Sequence, residues 1–248
     1  MSRFFHSELL TALRDFLFPR CCLGCGEGLH GRQGGVAFCR ECWQNIRFVR
    51  EPFCSVCGNP FTKGAGTSHL CSYCLNHRWH FVRARGIVNY HGPIGAAVRQ
   101  FKYSGKMYGL ETFAALMQEY RQGHPPPEPD LILPVPLHPK RLRQRGFNQA
   151  LVLSRKLFPE HKKDIDPFVL ERHQWTQPQT GLSAAARRGN VRNAFRVKKP
   201  EKIHNKKILL VDDVFTTGAT VNECARILRK NKAAEVEVFT FARVAARL

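Results

Sequence analysis

Eight cysteines in the first third of the chain form four Cys-x-x-Cys pairs. Thirteen residues separate the first pair from the second, and thirteen separate the third from the fourth, so one unit is duplicated. Two thiolates at this spacing chelate one face of a tetrahedral metal, and a second pair completes a closed site. The pattern predicts two structural zinc ions. The predicted ligands are Cys22, Cys25, Cys39, Cys42, Cys54, Cys57, Cys71 and Cys74.

Other uses of these cysteines fit the pattern less well. Disulfides are disfavoured because Arg3, Glu8 and Arg14 leave no apolar stretch for a secretory signal. One Cys-x-x-Cys is compatible with a redox pair, but four at a repeated spacing favour zinc. Equal gaps favour sequential pairing of the units, while interleaved pairing stays open. Cys21 is an alternative ligand, and Cys224 is expected to be a buried apolar residue.

The pattern changes at about residue 81, where short apolar runs begin to alternate with helical periodicity. This alternation predicts an α/β fold with a mostly parallel sheet and helices on both faces, preceded by a small zinc-ribbon domain. We therefore expect domains at 1–80 and 81–248. The predicted strands are 84–90, 131–136, 168–171, 208–211 and 236–244. The predicted helices are 94–120 with a break near 104–105, 148–157 and 219–229, and 173–193 is a predicted loop.

The chain carries a formal net charge of +20, and its excess of basic residues is concentrated in one segment. Residues 140–207 hold eighteen basic and five acidic side chains, a net charge of +13, whereas residues 1–80 have a net charge of +4. Such a segment attracts phosphates, pyrophosphate or a nucleic-acid backbone, although a solvated surface is the alternative. No run reaches the roughly 18 apolar residues of a membrane span, so we expect no membrane insertion and a cytoplasmic protein.

Residues 208–220 contain the clearest ligand-binding motif. A buried strand is followed by the carboxylates of Asp212 and Asp213, and then by a hydroxyl-rich turn that opens a helix. Backbone N–H groups, threonine hydroxyls and the helix N-terminus suit a phosphate monoester, while two carboxylates suit the hydroxyls of a cis-diol. The motif thus predicts a ribose 5-phosphate site. The turn residues are Thr216, Thr217, Gly218, Ala219 and Thr220.

Three alternatives for the acid pair are weaker. A Walker B strand requires a partner Gly-x-x-x-x-Gly-Lys-Ser/Thr sequence, which the chain lacks. A response-regulator receiver requires more than the 35 residues that follow Asp213. Two capping aspartates on an ordinary loop do not account for the strand, the acid pair and the turn together.

The motif at 208–220 resembles the phosphoribosyl pyrophosphate motif of type I phosphoribosyltransferases, and nearly the whole chain resembles the ComF family. That family joins a zinc segment to a phosphoribosyltransferase-like domain and is linked to competence and the use of imported DNA. The resemblance implies single-stranded DNA and proteins of the DNA-uptake machinery as partners. It is carried by the cysteine pairs, Phe101–Lys106, Pro134–His138, Arg145–Gln149, Gln179, Leu182, Arg187, Arg188, Asn190 and 208–220.

The resemblance also implies roles for individual residues. Asp212 and Asp213 would bind the ribose hydroxyls and stabilise positive charge on the ribose as pyrophosphate leaves. The turn at 216–220 would hold the 5-phosphate. Magnesium would bridge pyrophosphate and ribose oxygens, largely through water. The pyrophosphate would lie on the loop at 137–141, and the binding residues expected there are His138, Lys140 and Arg141.

Whether the protein catalyses transfer stays open at this point. Arg187 or Arg188, in a loop that resembles the closing loop of these enzymes, would act on the leaving group; contact with nucleic acid and a merely solvated loop are the alternatives. No acceptor-binding segment is recognisable, and no glutaminase is expected because Met1 and Ser2 lead into the zinc segment. We favour a DNA-handling protein that binds phosphoribosyl pyrophosphate over an active transferase or a protein-interaction module built on the ribbons.

Overall fold

The structure is a computed structural model that describes residues 20–29, 37–61, 66–104, 109–124, 127–176 and 189–245. In chain order its main elements are α1 (Arg40–Gln44), α2 (Ser72–Asn76), β1 (Arg83–Asn89), α3 (Gly92–Ser104), α4 (Leu110–Arg121), β2 (Leu131–Pro134), α5 (Pro139–Arg145), α6 (Gln149–Leu157), β3 (Leu170–Arg172), β4 (Phe195–Val197), β5 (Lys207–Phe215), α7 (Ala219–Lys230) and β6 (Glu235–Arg243).

Four strands form a parallel sheet in the order β1-β6-β5-β2. The apolar run Ile208–Val211 lies in β5, an inner strand, where both faces of the sheet are covered. β3 and β4 form a separate antiparallel pair. The predicted parallel α/β architecture is therefore confirmed, and the carboxyl ends of β2 and β5 lie side by side.

Alternate residues of β5 face two different layers of helices. Leu209 and Val211 belong to the apolar cluster that α3, α4 and α6 cover. Ile208 and Leu210 belong to the opposite cluster, which includes Cys224 of α7. Cys224 is fully buried, as predicted. The period of two along the strand thus places helices on both faces of the sheet.

Each predicted strand and helix is present with ends that differ by a few residues, but the short elements α1, α2, α5 and β4 were not predicted. The expected loop after β2 is wrong in part, because α5 begins at Pro139. His138 caps this helix by accepting a hydrogen bond from the Lys140 N–H at 3.2 Å, and proline suits the first helical position. α5 buries none of its residues, so it has no apolar periodicity. β4 has three residues, too few for a period-two pattern.

Part of the cysteine-rich segment shares its core with the sheet. Leu23 and Phe38 belong to the same apolar cluster as the helices α3 and α4. The Gln100 side chain donates a hydrogen bond to the Leu23 carbonyl at 3.1 Å, and the Ala37 N–H donates one to Thr112 Oγ1 at 2.7 Å. The first cysteine unit is therefore built into the body of the protein.

Candidate functional site

The predicted zinc ligands form two clusters, and within each the four sulfur atoms all lie within 4.8 Å of one another. The Cys25–Cys39 and Cys57–Cys71 sulfur separations are both 3.8 Å. Tetrahedral ligands at a zinc–sulfur distance of about 2.3 Å are themselves about 3.8 Å apart, so the clusters fit two structural zinc ions. Pairing is sequential, and Cys21 lies outside both clusters. The clusters are Cys22, Cys25, Cys39 and Cys42, and Cys54, Cys57, Cys71 and Cys74.

Backbone groups prepare these sulfurs for a metal. The N–H groups of Gly24 and Cys39 both donate to Cys22 Sγ at 3.3 Å, and the Cys71 N–H donates to Cys54 Sγ at 3.4 Å. Burial by itself raises the pKa of Cys54, but the backbone donors outweigh it and lower that pKa to about 6. The same balance lowers the pKa of Cys22 to about 7. The thiolate, which is the form that binds zinc, is thereby favoured at Cys22 and Cys54, whereas burial raises the pKa of Cys42 and Cys57.

The acid pair lies at the carboxyl end of β5. Asp213 is buried, and its Oδ2 lies 2.9 Å from Lys102 Nζ of α3. The Asp213 N–H donates to Asp212 Oδ1 at 2.8 Å. Burial and the negative charge of Asp213 raise the pKa of Asp212 to about 7. Lys102 therefore forms an ion pair with Asp213, whereas Asp212 forms no ion pair with a residue in the described ranges.

The turn after β5 packs tightly at its glycine. Gly218 has a φ of +73°, and a Cβ atom there would lie 2.6 Å from the Phe215 ring and 2.9 Å from the Trp79 ring. Glycine is required for both reasons. Thr217 Oγ1 accepts a hydrogen bond from the Ala219 N–H at 3.5 Å. The turn leads into α7, a helix of 12 residues, whose first N–H groups suit an anion.

The residues expected to bind pyrophosphate lie at the same end of the sheet. The Val135 N–H donates to the Val211 carbonyl at 2.9 Å, so the chain that leaves β2 runs beside the acid pair. His138, Lys140 and Arg141 follow at the start of α5. The structure thus brings these three residues to the edge that holds Asp212 and Asp213.

A tryptophan, Trp175, joins this group. Its ring centroid lies 5.8 Å from Lys140 Nζ, 5.6 Å from Arg141 Cζ and 5.2 Å from the His138 ring centroid. The side chain remains 42% exposed. An accessible aromatic ring is therefore placed among the cationic residues of the predicted pyrophosphate segment.

Two basic residues of the site had no role assigned from the sequence. Lys102 lies within a segment that carries the family resemblance, and this was its only signal. Arg172 of β3 is 6% exposed, and its Nε has no hydrogen-bond partner in the described part of the chain. Burial lowers the pKa of Arg172, as does Arg141, while Asp212 opposes them. Arg172 is one of eighteen basic residues in its segment, so nothing in the sequence marks it.

The predicted Arg187 and Arg188 lie outside the described residues. Within the described part of the chain, no helix combines the length and apolar character that crossing a bilayer requires.

The sheet, the acid pair with the turn that follows β5 and the two cysteine clusters define a phosphoribosyltransferase-type protein that carries a double zinc ribbon. Family comparisons agree with this class. The double zinc ribbon domain matches residues 13–75, and the phosphoribosyl transferase domain matches residues 142–248.

Individual relatives extend the match along most of the chain. Competence protein F of Haemophilus influenzae is 32% identical over 229 residues, which cover 90% of this chain and 96% of the relative. DNA utilization protein YhgH of Salmonella typhi is 34% identical over 230 residues, with 91% and 97% covered. Competence protein ComFC of Bacillus subtilis is 26% identical over 213 residues, with 83% of each chain covered. The chain belongs to the ComF family.

Proposed function

We propose that the protein binds phosphoribosyl pyrophosphate, or a related ribose phosphate, at the carboxyl end of β5. The observation that carries this proposal is an acid pair near the end of β5, with Asp213 ion-paired to Lys102, followed closely by a turn that opens α7. Asp212 and Asp213 would accept hydrogen bonds from the ribose hydroxyls, and the turn at 216–220 would hold the 5-phosphate. His138, Lys140 and Arg141 would bind the pyrophosphate.

The chemistry of the site fits magnesium entering together with the ligand. Carboxylate oxygens are ligands that magnesium prefers, directly or through water. Lys102 neutralises the charge of Asp213, whereas the pKa of Asp212 is raised to about 7. A magnesium ion that binds nearby would favour the ionised form of Asp212. Bound magnesium would supply charge that neutralises the pyrophosphate oxygens.

Transfer to an acceptor is the second candidate function. As pyrophosphate leaves, the acid pair would stabilise positive charge on the ribose, and Arg172 would offset negative charge on the departing group. Arg187 or Arg188 would cover the leaving group. The buried Arg172 favours this candidate, because its Nε has no hydrogen-bond partner in the described part of the chain and could donate to an oxygen of the departing group. Pyrophosphate release with a panel of bases and amines tests it.

We also propose that single-stranded DNA binds through the basic stretch 140–207, in the use of imported DNA together with proteins of the DNA-uptake machinery. The stretch has a net charge of +13, and the relatives named for competence and DNA utilization support this role. Lysine and arginine contact phosphates whatever the bases are, so binding through this stretch is expected to be largely independent of sequence.

Calorimetry with phosphoribosyl pyrophosphate and magnesium tests the ribose-phosphate site. Asp212→Asn/Asp213→Asn removes charged acceptors, each worth roughly 1.5–3 kcal/mol, so we expect affinity to fall by about 100-fold or more. Asp130→Asn is the matched control, because Asp130 accepts a hydrogen bond from the Lys207 N–H at the opposite end of β5. Equal affinities for wild type and the double variant would contradict the assignment.

A salt titration of oligonucleotide affinity tests the DNA proposal. The logarithm of the binding constant should fall with the logarithm of salt concentration by roughly 0.7 per phosphate contacted. Arg187→Ala/Arg188→Ala should flatten that slope by up to about one unit and weaken binding to every sequence alike. If Cys57→Ser abolishes binding while the arginine pair has no effect, the ribbons and not the basic stretch bind DNA.

A further inference from the structure

A cleft of about 370 Å³ lies between the second zinc ribbon and the start of α7. It lies outside the acid pair, and three separate parts of the chain form its walls. Its lining includes Tyr73, His77, Trp79, Arg192, Thr217 and Arg226. Thr217 also belongs to the phosphate turn, so the cleft opens next to the proposed 5-phosphate position.

One wall of the cleft is aromatic and rigidly held. The Tyr73 ring centroid lies 4.5 Å from that of His77 and 5.6 Å from that of Trp79. Trp79 is fixed by its Nε1–H, which donates to Cys74 Sγ at 3.2 Å. Tyr73 itself is 39% exposed. A zinc ligand thus anchors a set of rings whose outermost member is accessible, which suits stacking against a flat ring.

The facing wall is basic. Glu223 and Asn193 hold the Arg226 guanidinium at 2.7 and 3.1 Å, so its charge is already matched. Arg192 is exposed and forms no ion pair with any residue that the structure describes. Arg192 is therefore the cation available to an incoming phosphate.

An accessible aromatic ring opposite an uncompensated arginine is the arrangement that binds single-stranded nucleic acid, through stacking on bases and charge on phosphates. We propose that the cleft binds one base of a single strand against Tyr73, with a neighbouring phosphate at Arg192. The strand then passes beside Thr217 and the phosphate turn. This inference deepens the proposed DNA binding and rests on it.

Fluorescence anisotropy with a labelled oligothymidylate of about twelve nucleotides tests this inference. Tyr73→Ala should weaken binding about tenfold, the effect of losing one stacked base, whereas Tyr73→Phe keeps the ring and should stay within about twofold of wild type. Phe168→Ala is the matched control, because Phe168 is a more exposed ring in the basic stretch and lies near Lys199. The affinity of Phe168→Ala for the oligothymidylate should also stay within about twofold of the wild-type value.

A strand that carries iododeoxyuridine should photo-cross-link to the segment 73–79. Equal losses for Tyr73→Ala and Phe168→Ala, or cross-links confined to other segments, would overturn the assignment of the cleft. Calorimetry with phosphoribosyl pyrophosphate and magnesium separates the two proposals, because Tyr73→Ala should bind that ligand like wild type. If the wild-type protein binds phosphoribosyl pyrophosphate but no oligonucleotide, the assignment of the cleft is wrong and the ribose-phosphate site is unaffected.

Discussion

The two cysteine units share one spacing, yet they pack against different parts of the molecule. Leu23, which follows the first cysteine of the first unit, is 1% exposed and lies in the core of the sheet. Ser55 occupies the matching position of the second unit and is exposed. The sulfurs of the second unit form a small apolar cluster with Trp79. Cysteine spacing thus specifies the metal site, while the residues between the cysteines decide what each unit supports.

The second unit is joined to the candidate ligand site. Arg243, at the end of β6, donates hydrogen bonds to the Cys57 carbonyl and, at 3.3 Å, to Asn59 Oδ1. Its guanidinium lies 4.8 Å from the Phe215 ring centroid, and Trp79 packs against Gly218. The first unit therefore packs into the core on one face of the sheet, whereas the second contacts β1, where the Ala84 N–H donates to the Val56 carbonyl at 2.7 Å, and supports the turn after β5.

Zinc removal should produce the largest effect and should separate the two units. The purified protein should hold two zinc ions, and Cys22→Ser or Cys57→Ser should each lose about one. A structural zinc contributes roughly 10 kcal/mol or more to folding, so Cys22→Ser should unfold the sheet as well, while Cys57→Ser should loosen mainly residues 54–74. Metal analysis counts the zinc ions that each variant retains, and hydrogen exchange identifies the segments that each variant unfolds. A folded, reduced preparation without zinc would disprove the metal assignment.

Paired truncations sharpen the same contrast. Leu23→Ala removes a side chain from the sheet core and should lower the free energy of unfolding by about 2–5 kcal/mol. Ser55→Ala, at the matching position of the second unit, should change it by less than about 0.5 kcal/mol. Urea denaturation gives both values. Losses of similar size would mean that the two units are embedded alike.

Arg243→Met tests the link between the second unit and the site. Removing hydrogen bonds from a buried charged group should cost about 1.5–3 kcal/mol and speed the loss of zinc from the second cluster alone. Arg83→Met is the control, because Arg83 forms an exposed ion pair with Glu237 whose loss should cost about 1 kcal/mol or less. Faster release from both clusters in a chelator competition would contradict the link.

The last effect concerns Asp212, at the end of β5 that leads into the turn against which Trp79 packs. Burial and Asp213 raise its pKa to about 7, above the ordinary value of 3.8, while Lys102 and Arg172 oppose the rise. The folded state therefore holds a proton that the unfolded state releases, so this group costs stability as pH rises from about 4 to 7. Asp212→Asn should therefore stabilise the protein more at pH 8 than at pH 4.

Thermal unfolding at the two pH values measures this difference, with Asp130→Asn as the control. Because positive charge favours the ionised carboxylate, binding of phosphoribosyl pyrophosphate with magnesium should also release a proton near pH 6 to 7. The affinity of the protein for phosphoribosyl pyrophosphate with magnesium should therefore rise with pH over that range. Stabilisation by Asp212→Asn that is the same at both pH values would contradict the raised pKa.

The sequence by itself determined the eight cysteines of the metal clusters and the parallel α/β fold, and it favoured the sequential pairing that the structure then decided. These features depend on local spacing and periodicity, which survive without knowledge of distant contacts. The acid pair and the hydroxyl-rich turn at 208–220 were recognisable for the same reason, because all their parts lie within thirteen residues. Their ligand roles stay predictions.

Only the tertiary structure decided how distant residues meet. Lys102 reaches Asp213 and Trp79 reaches Gly218 across more than a hundred residues of chain. Lysine, arginine and tryptophan are common enough that no local pattern marks such a partner. The helix α5 likewise depends on capping by His138 rather than on an apolar face. The sequence therefore specified the metal sites and the sheet. Tertiary packing decided which side chains surround the acid pair, because these side chains come from segments that lie far apart in the sequence and share no local pattern.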